Sequence, residues 1–167
     1  LHALTAAALG VTGAVPMAPV FLPLLPENYY FWQMIFVLPL LVAVWLFLAT
    51  FVQALGRSRK RGGSIKKTSA ALAFAFAGPL LLAWVPQTAI AVFYALGMGQ
   101  PEMVDILSAP GVVQTVFLGI FAASAAWSFV LVVIAVSVSQ KIRWWKGLIL
   151  GTLTEALFLL PVVIALR

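Results

Sequence analysis

Long apolar runs separated by short polar segments dominate this sequence. Five runs cover residues 3–24, 31–55, 68–96, 112–138 and 146–166. An α-helix needs about 20 apolar residues to cross the hydrocarbon core of a bilayer, and each run reaches that length. The pattern therefore predicts an all-α fold, with one transmembrane domain over residues 1–167 built as a polytopic bundle of about five spans.

Basic and acidic residues fall in different connections between the runs. Nine of the ten Lys and Arg residues lie in segments 56–67 and 139–146, which hold no acid. These residues are Arg57, Arg59, Lys60, Arg61, Lys66, Lys67, Lys141, Arg143 and Lys146. The connections 26–30 and 97–111 hold acids and no base. Because basic loops stay in the cytoplasm, we predict that the N-terminus is inside and the C-terminus outside.

The third run contains Pro79 and Pro86, which could divide it into two short helices. Two crossings there would put the two basic segments on opposite sides of the membrane, whereas one crossing keeps them together. Proline is tolerated in membrane helices as a kink, because neighbouring groups re-satisfy the freed carbonyls. We therefore predict one kinked or tilted span over 68–96. The first run is the least regular, since three prolines crowd its second half.

Composition supports a membrane location and narrows the chemistry. The chain is 64% hydrophobic and 8% charged, against about 45–50% and about 25% in soluble domains. The net charge of +6 comes from the basic segments, so it predicts contact with anionic lipid and not with nucleic acid. With no cysteine and His2 as the only histidine, thiolate sites, multi-His metal sites and bis-His haem are excluded. No G-x-x-x-x-G-K-[ST], H-E-x-x-H or G-x-S-x-G motif occurs, so we expect no catalytic residue, cofactor or metal.

Glu155 is the only acid inside an apolar run. It lies nine residues after Lys146, which at about 1.5 Å per residue puts it near the bilayer centre. Three tryptophans and two serines come level with it in other runs: Trp45, Trp84, Trp127, Ser124 and Ser128. A carboxylate at this depth costs at least about 2.5 kcal/mol, and no Lys or Arg is available to pair with it. We therefore predict a neutral Glu155 that is hydrogen-bonded to Ser124, Ser128 or an indole N–H.

Gly147, Gly151 and Glu155 recur at every fourth position and so share one stripe of the last run. Small residues on a stripe let another backbone approach closely, which predicts helix packing there. Gly119 begins a matching small surface on the fourth run. Two interpretations of Glu155 stay open: a polar bond that fixes helix register, or an acid on a proton or substrate path.

The order of these features resembles a bacterial Yip1-domain membrane protein. The resemblance covers residues 26–166 and depends on PENYYFWQ, a Gly-Gly-Ser loop, TSAALAFAFAGP, AAWSFVLVVIAVSVSQ and KIRWWKG. It implies a five-span bundle in the bacterial inner (cytoplasmic) membrane and no catalytic residue. Eukaryotic members act with Rab-type GTPases in Golgi and endoplasmic-reticulum trafficking through a long N-terminal region. The sequence has no counterpart of that region, so we do not expect a GTPase partner.

Three function classes are compatible with these observations. The leading hypothesis is a non-enzymatic membrane scaffold or accessory subunit, which contacts another membrane protein or a second copy through its helices and its basic cytoplasmic face. The alternative is a small transporter or channel with Glu155 on the path. An intramembrane enzyme is the least supported, because one acid and two serines do not make a catalytic constellation.

Overall fold

A computed structural model of the chain describes residues 2–12, 14, 28–56 and 64–165. Every regular element of four or more residues in this part is an α-helix, which confirms the all-α prediction. The helices are α1 (His2–Val11), α2 (Tyr29–Gly56), α3 (Ile65–Ala95), α4 (Gln100–Ser108), α5 (Val112–Gln140) and α6 (Trp144–Ala165).

Four of these helices, α2, α3, α5 and α6, are long and apolar enough to cross a membrane. They are apolar around their whole circumference, and large side chains such as Phe74 (82% exposed) and Val138 (70% exposed) cover their outer surface. A helix of this kind is stable at the surface of a protein only when lipid surrounds it. The described residues therefore indicate a multi-pass membrane protein. α1 has ten residues and covers the predicted first span only over residues 3–11; most of the remainder of that span lies outside the described residues.

The third predicted span is confirmed as one element. α3 runs for 31 residues without a break, although it contains Pro79 and Pro86. A proline removes one N–H donor and frees the carbonyl four residues earlier, which a membrane helix can tolerate when other groups approach that carbonyl. The prediction of one continuous helix came from the two basic segments, which a single crossing keeps on the same side of the membrane. The helix propensity of the residues did not predict it, because proline disfavours a helix interior.

The sequence did not predict α4, which lies in the connection 97–111. Gly99 precedes it in extended conformation, and the Gly99 N–H donates to Glu102 Oε2 at 3.0 Å. This bond and Pro101 in the first turn are standard devices for starting a helix. Met103 is buried on the inner face of α4. A helix of nine residues is too short to give a clear apolar period, so its acids suggested a loop.

Helices α3 and α5 end with the same hydrogen-bond pattern. Gly97 has φ 89°, and the Met98 N–H donates to the Phe93 carbonyl at 3.1 Å. Lys141 has φ 52°, and the Ile142 N–H donates to the Ser137 carbonyl at 3.2 Å. Both are Schellman motifs, which place one residue in the left-handed region. Each motif turns the chain sharply, at Gly97 towards α4 and at Lys141 towards α6.

Contacts divide the chain into two compact units. The first comprises Leu1–Pro39, Leu81–Ala123 and Val162–Arg167. Its core contains Leu9, Ala14 and Ala91, with Tyr30, Ile90 and Tyr94 packed against them. Both acid-bearing connections belong to this unit.

The second unit comprises Leu40–Leu80 and Ser124–Pro161. The rings of Phe76 and Phe158 stack in it with centroids 3.9 Å apart. Fully buried aliphatic side chains complete its core: Leu48, Val52, Leu72, Val132 and Val136. Both basic segments and Glu155 belong to this unit.

Candidate functional site

Glu155 lies on the buried side of α6 in the second unit. It is 5% exposed, and both of its carboxyl oxygens are sealed from solvent. Neither oxygen has a hydrogen-bond partner among the described residues. The burial expected from the sequence is therefore present, whereas no hydrogen bond of standard geometry reaches the carboxyl group among the described residues.

Ser128 on α5 is the side chain that interacts with the Glu155 carboxyl group. The contact does not meet the geometry of a hydrogen bond, so Ser128 Oγ is also buried without a partner. Three unpartnered oxygen atoms thus meet between α5 and α6. Buried polar atoms nearly always have partners, so a group of polar atoms without them is a candidate for a functional role.

Ser124 lies one turn before Ser128 but has a different role. Its hydroxyl donates to the Pro79 carbonyl at 2.6 Å, and the bond is buried. This bond joins α5 to α3 where a proline interrupts the hydrogen-bond ladder of α3. Ser124 is therefore a link between two helices and not a partner of Glu155.

Each of the three tryptophans has its own surroundings, and no described hydrogen bond joins an indole to Glu155. Trp45 Nε1 donates to the Ser69 carbonyl at 2.8 Å, in the first turns of α3. Trp84 belongs to the first unit, where its Nε1 donates to Thr5 Oγ1 at 2.5 Å. Trp127 is 46% exposed and packs against Gly78. The depth of each tryptophan in the membrane, estimated from its position in the run, did not predict the partner of its indole. An indole extends several ångströms from its own backbone.

Gly147 and Gly151 of α6 face α5 at very short range. A Cβ on Gly147 would overlap the Ser137 side chain. A Cβ on Gly151 would lie 2.7 Å from Val133 Cγ2 and 2.9 Å from Val133 Cα. The last contact is with backbone, which cannot move aside as a side chain does. This face of α6 therefore has room only for glycine at these two positions.

Gly119 on α5 behaves differently from the glycines of α6. A Cβ placed there would meet no atom within 4 Å. Gly119 and the neighbouring Ala122 and Ala123 are all exposed. Helix packing at Gly119 stays a prediction, because no described atom of the chain lies within 4 Å of that Cβ position.

A second polar cluster, which sequence reasoning missed, joins α2, α3 and α5. Gln140 Nε2 donates to Thr68 Oγ1 at 2.7 Å and to Gln53 Oε1 at 3.2 Å. Thr68 and Gln140 are 0% and 1% exposed, respectively. Gly56 leaves room for this cluster, because a Cβ there would lie 2.6 Å from Gln140 Cγ. The available signal was two glutamines near the ends of long apolar runs, Gln53 and Gln140.

The basic residues that the structure describes are solvent-accessible. Lys66 and Lys67 are exposed in the first turn of α3, and Lys141 and Arg143 lie between α5 and α6. Lys146 Nζ is 5.2 Å from the centre of the Trp145 ring, a cation–π contact at the start of α6. The other predicted members of the basic face lie outside the described residues: Arg57, Arg59, Lys60 and Arg61.

The described residues contain no cluster of three or more His, Asp or Glu that could hold a metal ion. The chemistry that remains is a sealed carboxyl group, a nearby hydroxyl, an amide cluster and an exposed basic surface. No family model, curated protein or solved structure matches this chain.

Proposed function

We propose that this chain is a non-enzymatic integral membrane scaffold or accessory subunit of the Yip1-domain type in a bacterial inner membrane. It acts through helix–helix contacts and through a basic cytoplasmic face that contacts anionic lipid. Its partner is another membrane protein or a second copy of the chain.

The observation that carries this proposal is the sealing of Glu155. The one acid inside the spans has both oxygens closed to solvent, which suits a packed interior better than an open path. The helix contacts support the same function. Gly147 and Gly151 of α6 pack closely against α5. The small surface at Gly119 has no such contact, so it can receive a helix from another chain.

The test is complex formation in native membranes. We expect the tagged chain to be crosslinked to a membrane partner or to itself. A Gly119→Leu substitution should abolish the crosslink, because the added side chain keeps the two backbones apart. Ala125→Leu is the matched control, since Ala125 is also exposed on α5 but lies on a different face of the helix. Recovery of the wild-type chain as a lone monomer, with no partner in native membranes, would contradict the proposal.

A second candidate function is proton or small-cation transport, and one observation favours it. The two Glu155 oxygens and Ser128 Oγ form a buried group of polar atoms without partners, and a purely structural bond would be satisfied. The test is proton flux in proteoliposomes containing a pH-sensitive dye. Transport predicts a flux that Glu155→Gln abolishes, and unchanged flux in that variant rules this candidate out.

A further inference from the structure

An apolar groove runs beside α4 in the first unit. α3 lines it between Val85 and Phe93, α5 lines it between Val112 and Ile120, and Leu107 of α4 lies between them. Every side chain that lines the groove is apolar, and the groove is partly open to its surroundings. Its volume is about 300 Å³.

The groove is slightly shorter than one leaflet of the hydrocarbon core. Phe93 lies eight positions after Val85, which corresponds to about 12 Å along a helix. Half of the hydrocarbon core measures about 15 Å. A volume near 300 Å³ is also at the lower limit of cavities that hold small ligands, about 300–1,000 Å³. The groove thus fits a single acyl chain better than a helix.

The surroundings of the groove point to the same occupant. Two of the lining helices, α3 and α5, are long enough to cross a membrane, so the groove opens towards hydrocarbon. An empty apolar groove would lose the dispersion contacts of its walls. Acyl chains are the molecules present at high concentration beside such a surface, and they fill it without desolvating any polar group.

α4 adds a preference for one kind of headgroup. Its apolar side chains Met103, Ile106 and Leu107 line the groove, while Glu102 and Asp105 are exposed. The segment 81–123, which includes all the groove residues, contains these two acids and no Lys, Arg or His. Two carboxylates repel a lipid with net negative charge and attract an ammonium group.

We propose that this groove binds one acyl chain of a phospholipid whose headgroup carries an ammonium group, as in phosphatidylethanolamine. The proposal does not require the scaffold function, and Glu155 takes no part in it. It also differs from the basic face, which prefers anionic lipid.

The test is native mass spectrometry of the delipidated protein after incubation with equal amounts of dioleoyl phosphatidylethanolamine and dioleoyl phosphatidylglycerol in detergent. We expect one phosphatidylethanolamine to be retained per chain, in excess over phosphatidylglycerol. Ala89→Phe should lower this retention by about tenfold, because Ala89 lines the groove and a phenyl ring would fill it. Val116→Phe fills the groove from α5 and serves if the first variant does not fold.

Ala125→Phe is the control, since it adds the same ring to an exposed position on α5 outside the groove. It should retain lipid as the wild type does. The double substitution Glu102→Gln and Asp105→Asn should equalise the two lipids, and Gln at 102 keeps the helix-starting bond to Gly99. Unchanged retention in both filling variants would overturn the site, and equal retention of the two lipids by the wild type would overturn the headgroup preference.

Discussion

Glu155 of α6 and Ser128 of α5 face each other in the buried interior of the second unit, and neither has a hydrogen-bond partner among the described residues. A buried polar atom without a partner is unfavourable for stability, because it has given up its hydrogen bonds to water. The sequence predicted that Glu155 is both buried and hydrogen-bonded. The two properties are separate, because the side chain is buried without a hydrogen bond of standard geometry.

The first prediction concerns the cost of this arrangement. Glu155→Leu should raise the free energy of unfolding, since an unpartnered buried polar group costs about 1–3 kcal/mol. Leucine has a similar length and needs no partner. The measurement is reversible unfolding in mixed micelles, followed by tryptophan fluorescence. A loss of stability in Glu155→Leu would mean that water or an ion satisfies the carboxyl group in the folded protein.

The second prediction compares two kinds of glycine. Gly151→Ala should destabilise the protein by about 1–3 kcal/mol through overpacking, because the new Cβ would lie 2.9 Å from Val133 Cα. Gly119→Ala should be neutral or stabilising by up to about 1 kcal/mol, the gain in helix propensity, since nothing lies within 4 Å of its Cβ. Equal effects of the two substitutions in the same unfolding assay would contradict the close approach of α5 and α6.

The long helices could be predicted from the sequence because membrane spans must be apolar over a fixed length. The hydrogen-bond partners of the polar side chains could not be predicted from apolar length. A helix that is apolar on all sides carries no periodic signal for the direction in which each side chain points. Trp45 illustrates the difficulty, since its position suggested the depth of Glu155 while its indole bonds to Ser69 near the start of α3. The burial of Glu155 could be predicted because it is the only acid in an apolar run. Whether its carboxyl group forms a hydrogen bond depends on distances of a few tenths of an ångström, which the sequence does not contain.

The third prediction tests the missed cluster of Gln140, Thr68 and Gln53. Gln140→Leu and Thr68→Val should each destabilise the protein, because each leaves a buried polar group without its partner. Combined in a double-mutant cycle, they should show a coupling energy of about 0.5–3 kcal/mol, as residues in one network do. Thr50→Val is the control, since the Thr50 hydroxyl bonds only to the Leu46 carbonyl of its own helix and is exposed. Additive effects of the two cluster variants would show that the cluster does not act as a unit.

The last prediction tests membrane orientation with single cysteines, which the absence of native cysteine makes possible. Ser64 and Ser108 are both exposed, so Ser64→Cys and Ser108→Cys are nearly isosteric and open to reagent. Ser64 directly precedes α3 and lies within the first basic segment, and Ser108 ends α4 in the acidic connection. Because one span, α3, separates the two positions in the chain, a membrane-impermeant maleimide added to intact cells should label Ser108→Cys only. Labelling of Ser64→Cys should require permeabilised membranes. If both cysteines react from the same side, α3 does not cross the membrane as a single span, and the assignment of the basic face to the cytoplasm is wrong.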